Sequence, residues 1–127
     1  MAIQTQKLYE RVLEEFRDKV IAELGNKVEA IIVYGSVARR DSNADSDIDV
    51  LIISSHKQAI HTRVDSIRSD IDLEYETLTT LTYFTPEEFQ SRWKRGEPFL
   101  IEVVSEGRAV YGKIPVRRHQ RVLQVGR

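Results

Sequence analysis

Two apolar runs, Val28-Glu29-Ala30-Ile31-Ile32-Val33-Tyr34 and Ile48-Asp49-Val50-Leu51-Ile52-Ile53, constrain this chain more than any other feature. Both are short and rich in β-branched residues, which suits strands better than helices. Gly35 ends the first run, where a glycine permits a sharp turn. Beyond Asp49 the second run is apolar on both faces, which places a strand of about Asp47 to Ser54 in the middle of a sheet.

Helical periodicity surrounds these runs. Leu8, Val12, Phe16, Val20 and Leu24 recur every fourth residue, with Leu13 and Ile21 widening the stripe, and predict an amphipathic helix over residues 3–24 stopped by Gly25-Asn26. Ser36 to Arg40 reads as a short helical turn and Asp41 to Ser46 as a polar loop. Ile60, Val64, Ile67, Ile71 and Tyr75 predict a helix from about Lys57 to about Glu76. The Thr and aromatic residues of Thr77 to Phe84 predict a third strand. Thr85-Pro86-Glu87-Glu88 has the form of a capping box opening a helix to about Arg95. Gly96-Glu97-Pro98 breaks it before a short helix over Phe99 to Ser105, and Ala109-Val110-Tyr111 forms a small last strand. The fold class expected is α/β (α+β): a small mixed β-sheet with flanking helices.

Chemistry concentrates between the two apolar runs, in Gly35-Ser36-Val37-Ala38-Arg39-Arg40-Asp41-Ser42-Asn43-Ala44-Asp45-Ser46-Asp47-Ile48-Asp49. Side chains alternate along a strand, so Asp47 and Asp49 share one face while Ile48 and Val50 turn to the other. At about 3.3 Å per residue the two acids stand about 7 Å apart along the chain. Such a like-charge pair is costly unless a cation relieves it. The Gly35-Ser36 turn, at a strand exit and a helix start, aims unpaired amides at an anion. A rival metal reading places Asp41, Asn43, Asp45, Asp47 and Asp49 at positions 1, 3, 5, 7 and 9 of a calcium loop. Ile52 at the twelfth position and the apolar strand that follows argue against it. His56 and His61 lack the same-face spacing of a zinc pair, and Trp93 fits a core position better than a base-stacking one.

The Gly-Ser turn, the short loop and the Asp-hydrophobic-Asp-hydrophobic strand resemble the minimal nucleotidyltransferases of the DNA polymerase beta-like superfamily. Gly35-Ser36, Ala38-Arg39, Asp45-Ser46-Asp47-Ile48-Asp49-Val50 and Leu51-Ile52-Ile53 carry the likeness. It is strong over residues 28–54 and weaker over residues 76–112. The resemblance implies a nucleotidyltransferase fold and transfer of a nucleoside monophosphate, AMP from ATP or another triphosphate, to a hydroxyl. By that resemblance Asp47 and Asp49 hold Mg²⁺. Gly35, Ser36 and Ser46 bind the nucleotide, and Arg39 neutralises phosphate charge or pairs with Asp41 or Asp45. Family members generally add a third carboxylate on the next strand, where this chain has Thr79, Thr80 and Thr82. Glu76, just before that strand, is the candidate general base.

Small members of this family are often encoded beside, and bind, helical HEPN-domain proteins, and some act as antitoxins by adenylylating a tyrosine of that partner. The resemblance therefore implies an antitoxin in a hetero-oligomer, with the nucleoside triphosphate as its other partner. A catalytically degenerate member that neutralises its partner by binding alone is the alternative. Nucleotidylation of a small molecule is a third reading.

The rest of the composition bounds these expectations. At 127 residues the chain suits one domain, expected over residues 1–112, with a basic tail over residues 113–127 that carries Lys113, Arg117, Arg118, Arg121 and Arg127. The formal net charge of −1 gives no basic field, so direct nucleic-acid binding is not expected. No apolar run approaches the roughly 18 residues a membrane span needs. The lack of a signal-like start and of cysteine fits a cytoplasmic protein.

Overall fold

A computed structural model describes residues 2–116 of the chain. Helix α1, Ala2–Leu24, leads through a turn of 3-10 helix, Gly25–Lys27, into strand β1, Ala30–Tyr34. A single-turn helix α2, Gly35–Arg39, follows at once, then strand β2, Ile48–Ile53, helix α3, Lys57–Tyr75, and strand β3, Thr79–Phe84. Helices α4, Pro86–Lys94, and α5, Pro98–Glu106, precede the last strand, β4, Arg108–Tyr111.

The four strands lie in the order β3-β2-β1-β4. Strand β1 is antiparallel to both β2 and β4, whereas β2 and β3 are parallel and joined by the α3 crossover. Alternation along the two central strands feeds two cores. Ile31, Val33, Val50 and Ile52 meet Tyr9, Val12, Phe16 and Val20 of α1 and Ile60, Val64, Ile67 and Ile71 of α3. Ala30, Ile32, Leu51 and Ile53 meet Phe89, Trp93, Leu100, Val103 and Val104 of α4 and α5 on the opposite face. The central position expected for the second run holds: β2, like β1, is an interior strand covered by helices on both sides.

The elements match the expected order, with later starts for three strands. Glu29 still donates to the Ile53 carbonyl at 2.8 Å, but regular pairing of β1 starts only at Ala30. Strand β2 opens at Ile48, one residue after Asp47. The delay of β3 to Thr79 has a visible cause in buried Asp72 near the end of α3. Its Oδ1 accepts from the hydroxyls of Thr77 at 2.7 Å and Thr79 at 2.8 Å, and its Oδ2 from the Thr79 amide at 2.8 Å. The Thr77 amide bonds the Asp72 carbonyl at 3.1 Å, so these residues close the helix before the strand can begin.

The capping box at α4 forms as expected: Thr85 Oγ1 accepts from the Glu88 amide at 3.0 Å, and Glu88 Oε1 accepts from the Thr85 amide at 2.8 Å. Trp93 is buried in the α4–α5 core, as a packing residue. After β4 the chain turns at Gly112 (φ +66°), where a Cβ would stand 2.2 Å from the Glu29 carbonyl oxygen. Ile114 and Val116 then pack against the α4–α5 core, and Gln90 donates to the Pro115 carbonyl at 2.9 Å. Arg117, Arg118, Arg121 and Arg127 of the expected tail lie outside the described residues. Among those described, no helix is long and apolar enough to cross a membrane.

Truncation of fully buried Phe89 to alanine should cost about 3–5 kcal/mol, against about 1 kcal/mol for Thr85→Ala, since one opens a cavity and the other removes a cap. Urea denaturation with an unchanged slope should show this ranking.

Candidate active site

Tyr34 leaves β1 in an extended conformation, and Gly35 turns the chain with φ +75° into α2. Tyr34 and Thr80 flank Asp49 across the sheet, in the registers Tyr34↔Asp49 and Asp49↔Thr80. The Asp49 carboxylate lies between the glycine bend and β3. Its Oδ1 accepts a hydrogen bond from Thr80 Oγ1 at 2.8 Å, and its Oδ2 would be only 2.4 Å from a Cβ at position 35. Glycine is required at that bend twice over, by its left-handed conformation and by the acid seated against it.

Asp47 is exposed and immediately precedes β2, while Ile48 beside it is buried. The Ile48 amide bonds the Leu78 carbonyl at 2.9 Å, which locks the entry of β2 to the approach of β3. By strand alternation Asp49 has the parity of Leu51 and Ile53, so it faces the α4–α5 side. Thr80 and Thr82 share that side with Phe84. Tyr34 lies there too, edge-on to Phe99 of α5 with ring centroids 5.1 Å apart. Burial pushes the Tyr34 phenol up from its ordinary pKa; a hydrogen bond with Thr82 opposes that, and the charges of Asp49 and Glu102 add to it.

The loop from Asp41 to Asp47 is held from beneath by α1. The Tyr9 hydroxyl, on a buried side chain, faces the carbonyl oxygens of Asn43, Ala44 and Ser46 at 3.0, 3.4 and 3.2 Å. Burial, with Asp45 and Asp47 nearby, raises its pKa, so it stays a donor. Buried Ser42 donates to Gln6 Oε1 at 2.6 Å, and Gln6 Nε2 donates to the Val37 carbonyl at 3.0 Å. Within the loop, Ser46 accepts from the Asn43 amide at 2.9 Å, and Asn43 Oδ1 from the Asp45 amide at 2.8 Å. Ser46 thus closes the turn that delivers Asp47.

Other expected residues settle differently. Arg39 pairs with Asp41 at 3.2 Å and with Glu106 of α5 at 3.2 Å, with Glu102 at 4.0 Å. Ser36 is half-buried in α2, and its carbonyl accepts from the Asp41 amide at 3.0 Å. Glu76 is exposed at the C-cap of α3, in a left-handed conformation with φ +56°. Among the described residues no three acidic or histidine side chains gather where they could hold one metal ion, so Glu76 does not join Asp47 and Asp49 in such a group. Strand β2 stands where a calcium loop would be followed by a helix. His56 and His61 are exposed, and His119 lies outside the described residues.

Tyr9, Gln6, Thr80, Glu102 and Glu106 are the residues that sequence reasoning missed. Thr80 was within reach of it: counting back from Phe84 by twos puts Thr80 on the acid-bearing face, given a parallel register. Tyr9 carries no such signal, because its position in the α1 stripe marks it only as core.

Comparison with known proteins gives a family and a fold. The family model described as polymerase beta, nucleotidyltransferase matches residues 18–114. A protein of Methanocaldococcus jannaschii, provisionally named a protein adenylyltransferase, is 30% identical over 69 residues, which span 53% of this chain and 70% of that protein. A chain from a crystal structure of a toxin-antitoxin with AMP-PNP superposes with a TM-score of 0.55 at 18% identity, covering 79% of this chain and 73% of that one. A provisionally named nucleotidyltransferase of Sulfolobus solfataricus superposes with a TM-score of 0.50 at 20% identity, covering 71% and 78% of the two chains. At those identities the two structures speak to the fold.

Gly35→Ala should destabilise the protein by about 1–3 kcal/mol, the usual cost of one residue held in an unfavourable conformation. Thermal melting checks it. Tyr9→Phe should cost only about 1 kcal/mol globally yet speed amide exchange at Asp45 and Ser46 at least several-fold, as hydrogen exchange followed by mass spectrometry would show.

Proposed function

Because this chain belongs to the polymerase beta-type nucleotidyltransferase family, we propose that it transfers AMP from ATP to a tyrosine hydroxyl of a helical HEPN-domain partner and so acts as an antitoxin. The single observation that carries the transferase reading is the placement of Asp49 against the Gly35 bend, with exposed Asp47 two residues before it at the entry to β2. The adenylyl group and the partner are supported by likeness: the archaeal relative bears the name of a protein adenylyltransferase, and the fold occurs in a toxin-antitoxin crystallised with AMP-PNP.

The residues fit a magnesium ion. The donors are carboxylate oxygens, which suit a hard cation, and the cradle that a Cβ at position 35 would fill leaves Asp49 Oδ2 its place. Asp47 and Asp49 would hold the ion, which when bound neutralises charge on the triphosphate and on the pyrophosphate leaving group. The protein's own groups do the rest. The amides after Gly35, with the hydroxyls of Ser36 and Ser46, orient the phosphates, and Arg39 lends positive charge beside them. The acceptor oxygen attacks the α-phosphorus, the bond to the β-phosphate bridging oxygen breaks, and the acceptor loses its proton. Glu76, exposed at the end of α3, is the candidate to take it.

One observation favours a second reading. Thr80 stands opposite Asp49, and no third acid among the described residues joins the pair, as in a member that neutralises its partner by contact alone. Incubation of wild type, Mg²⁺, labelled ATP and the co-purified partner should label the partner, and Asp47→Asn with Asp49→Asn should abolish labelling without loss of partner capture. Wild type that captures the partner but transfers no label from any of the four ribonucleoside triphosphates would leave only the binding reading.

A further inference from the structure

We infer that this centre is built for one divalent cation rather than two, with Thr80 as the positioning residue that holds Asp49 for it. The inference rests on the nucleotidyltransferase reading of the site and adds what the carboxylate count and the β2–β3 register imply. Two-metal centres hold their ions about 3.5–4 Å apart, so the second ion needs a protein ligand of its own beside those that hold the first. Neighbouring strands run about 4.8 Å apart, so a side chain level with Asp49 on the same face of an adjoining strand is the one that could share a second ion with it.

Both level positions are neutral. Thr80 occupies the one on β3, and Tyr34 the one on β1. Farther along the same face of β3 come Thr82 and Phe84, and neither is acidic. The acids that α5 brings to this side, Glu102 and Glu106, are paired with Arg39. Asp47 and Asp49 are therefore the carboxylates this face offers among the described residues; the phosphates of a bound nucleotide can complete the shell of one ion that they chelate, but a second ion beside it would find no third protein carboxylate.

The Thr80 hydroxyl does a task that a carboxylate could not do. It donates to Asp49 Oδ1 at 2.8 Å, so the acid is held by a donor on one side and by the glycine bend on the other. A carboxylate at position 80 would instead repel Asp49 unless a cation lay between them. The threonine thus fixes the rotamer of Asp49 before any ion arrives, which is preorganisation without added charge.

Manganese serves as the probe. In a titration of the full chain with Mn²⁺ in the presence of AMP-PNP, followed by electron paramagnetic resonance, wild type should bind one Mn²⁺ per bound nucleotide and Thr80→Asp two. Two ions per nucleotide in wild type would overturn the inference and leave the transferase reading standing. No nucleotide-dependent Mn²⁺ would overturn both. Calorimetric titration with Mn²⁺ should show about five- to tenfold weaker binding for Thr80→Val and near-complete rescue for Thr80→Ser, with metal-free melting alike in all three. Unchanged affinity in Thr80→Val would remove the positioning role.

Discussion

Burial of Ile48 and Val50 under α1 and α3 is the constraint on which the rest of the molecule depends. Both side chains are 0% exposed. Each contributes about 1.5–3 kcal/mol through burial alone. Because successive side chains alternate, that burial leaves Asp49 one direction in which to point. A slip of one residue in β2 would drive the carboxylate into the α1–α3 core and bring three aliphatic side chains, Ile48, Val50 and Ile52, out of it. The position of the acid is thus a by-product of core packing, which is a stiffer support than a surface hydrogen bond could provide.

Helix α1 extends the same logic into polar territory. Its middle, with Val12, Phe16 and Val20, is ordinary core, but its first turns carry Gln6, Tyr9 and Glu10. Gln6 bonds the Val37 carbonyl of α2 and Ser42 of the loop before β2, Tyr9 bonds the backbone of that loop, and Glu10 pairs with Arg108 of β4. One helix therefore seats the sheet, the last strand and the acid-bearing loop together. The loop needs that support, because it is rich in turn formers and offers almost no apolar surface of its own to bury.

Patterns confined to a few neighbouring residues were readable without coordinates. The α1 stripe, the capping box at Thr85 and the core position of Trp93 all follow from spacing, since the physics behind them acts within one element. What could not be read depends on distant parts of the chain meeting. Arg39 finds Glu106, 67 residues later, only because α5 packs beside α2. Thr80 falls level with Asp49 only because Asp72 closes α3 where it does and sets the start of β3. Asp72 itself looks like one more surface acid at a helix end, and its three bonds to Thr77 and Thr79 show that it is a buried staple.

The contact between Gly35 and Asp49 also bears on how such a sequence can diverge. Any side chain at the bend would occupy the space of the Asp49 carboxylate, and no shorter acid exists to make way. Position 35 therefore cannot gain a side chain while the acid stays, whereas the acid can be lost while the glycine stays, so a larger residue at the bend would follow loss of Asp49 rather than precede it. Loss of both would be the genetic footprint of a lineage that has kept the scaffold without the acid seated against the bend.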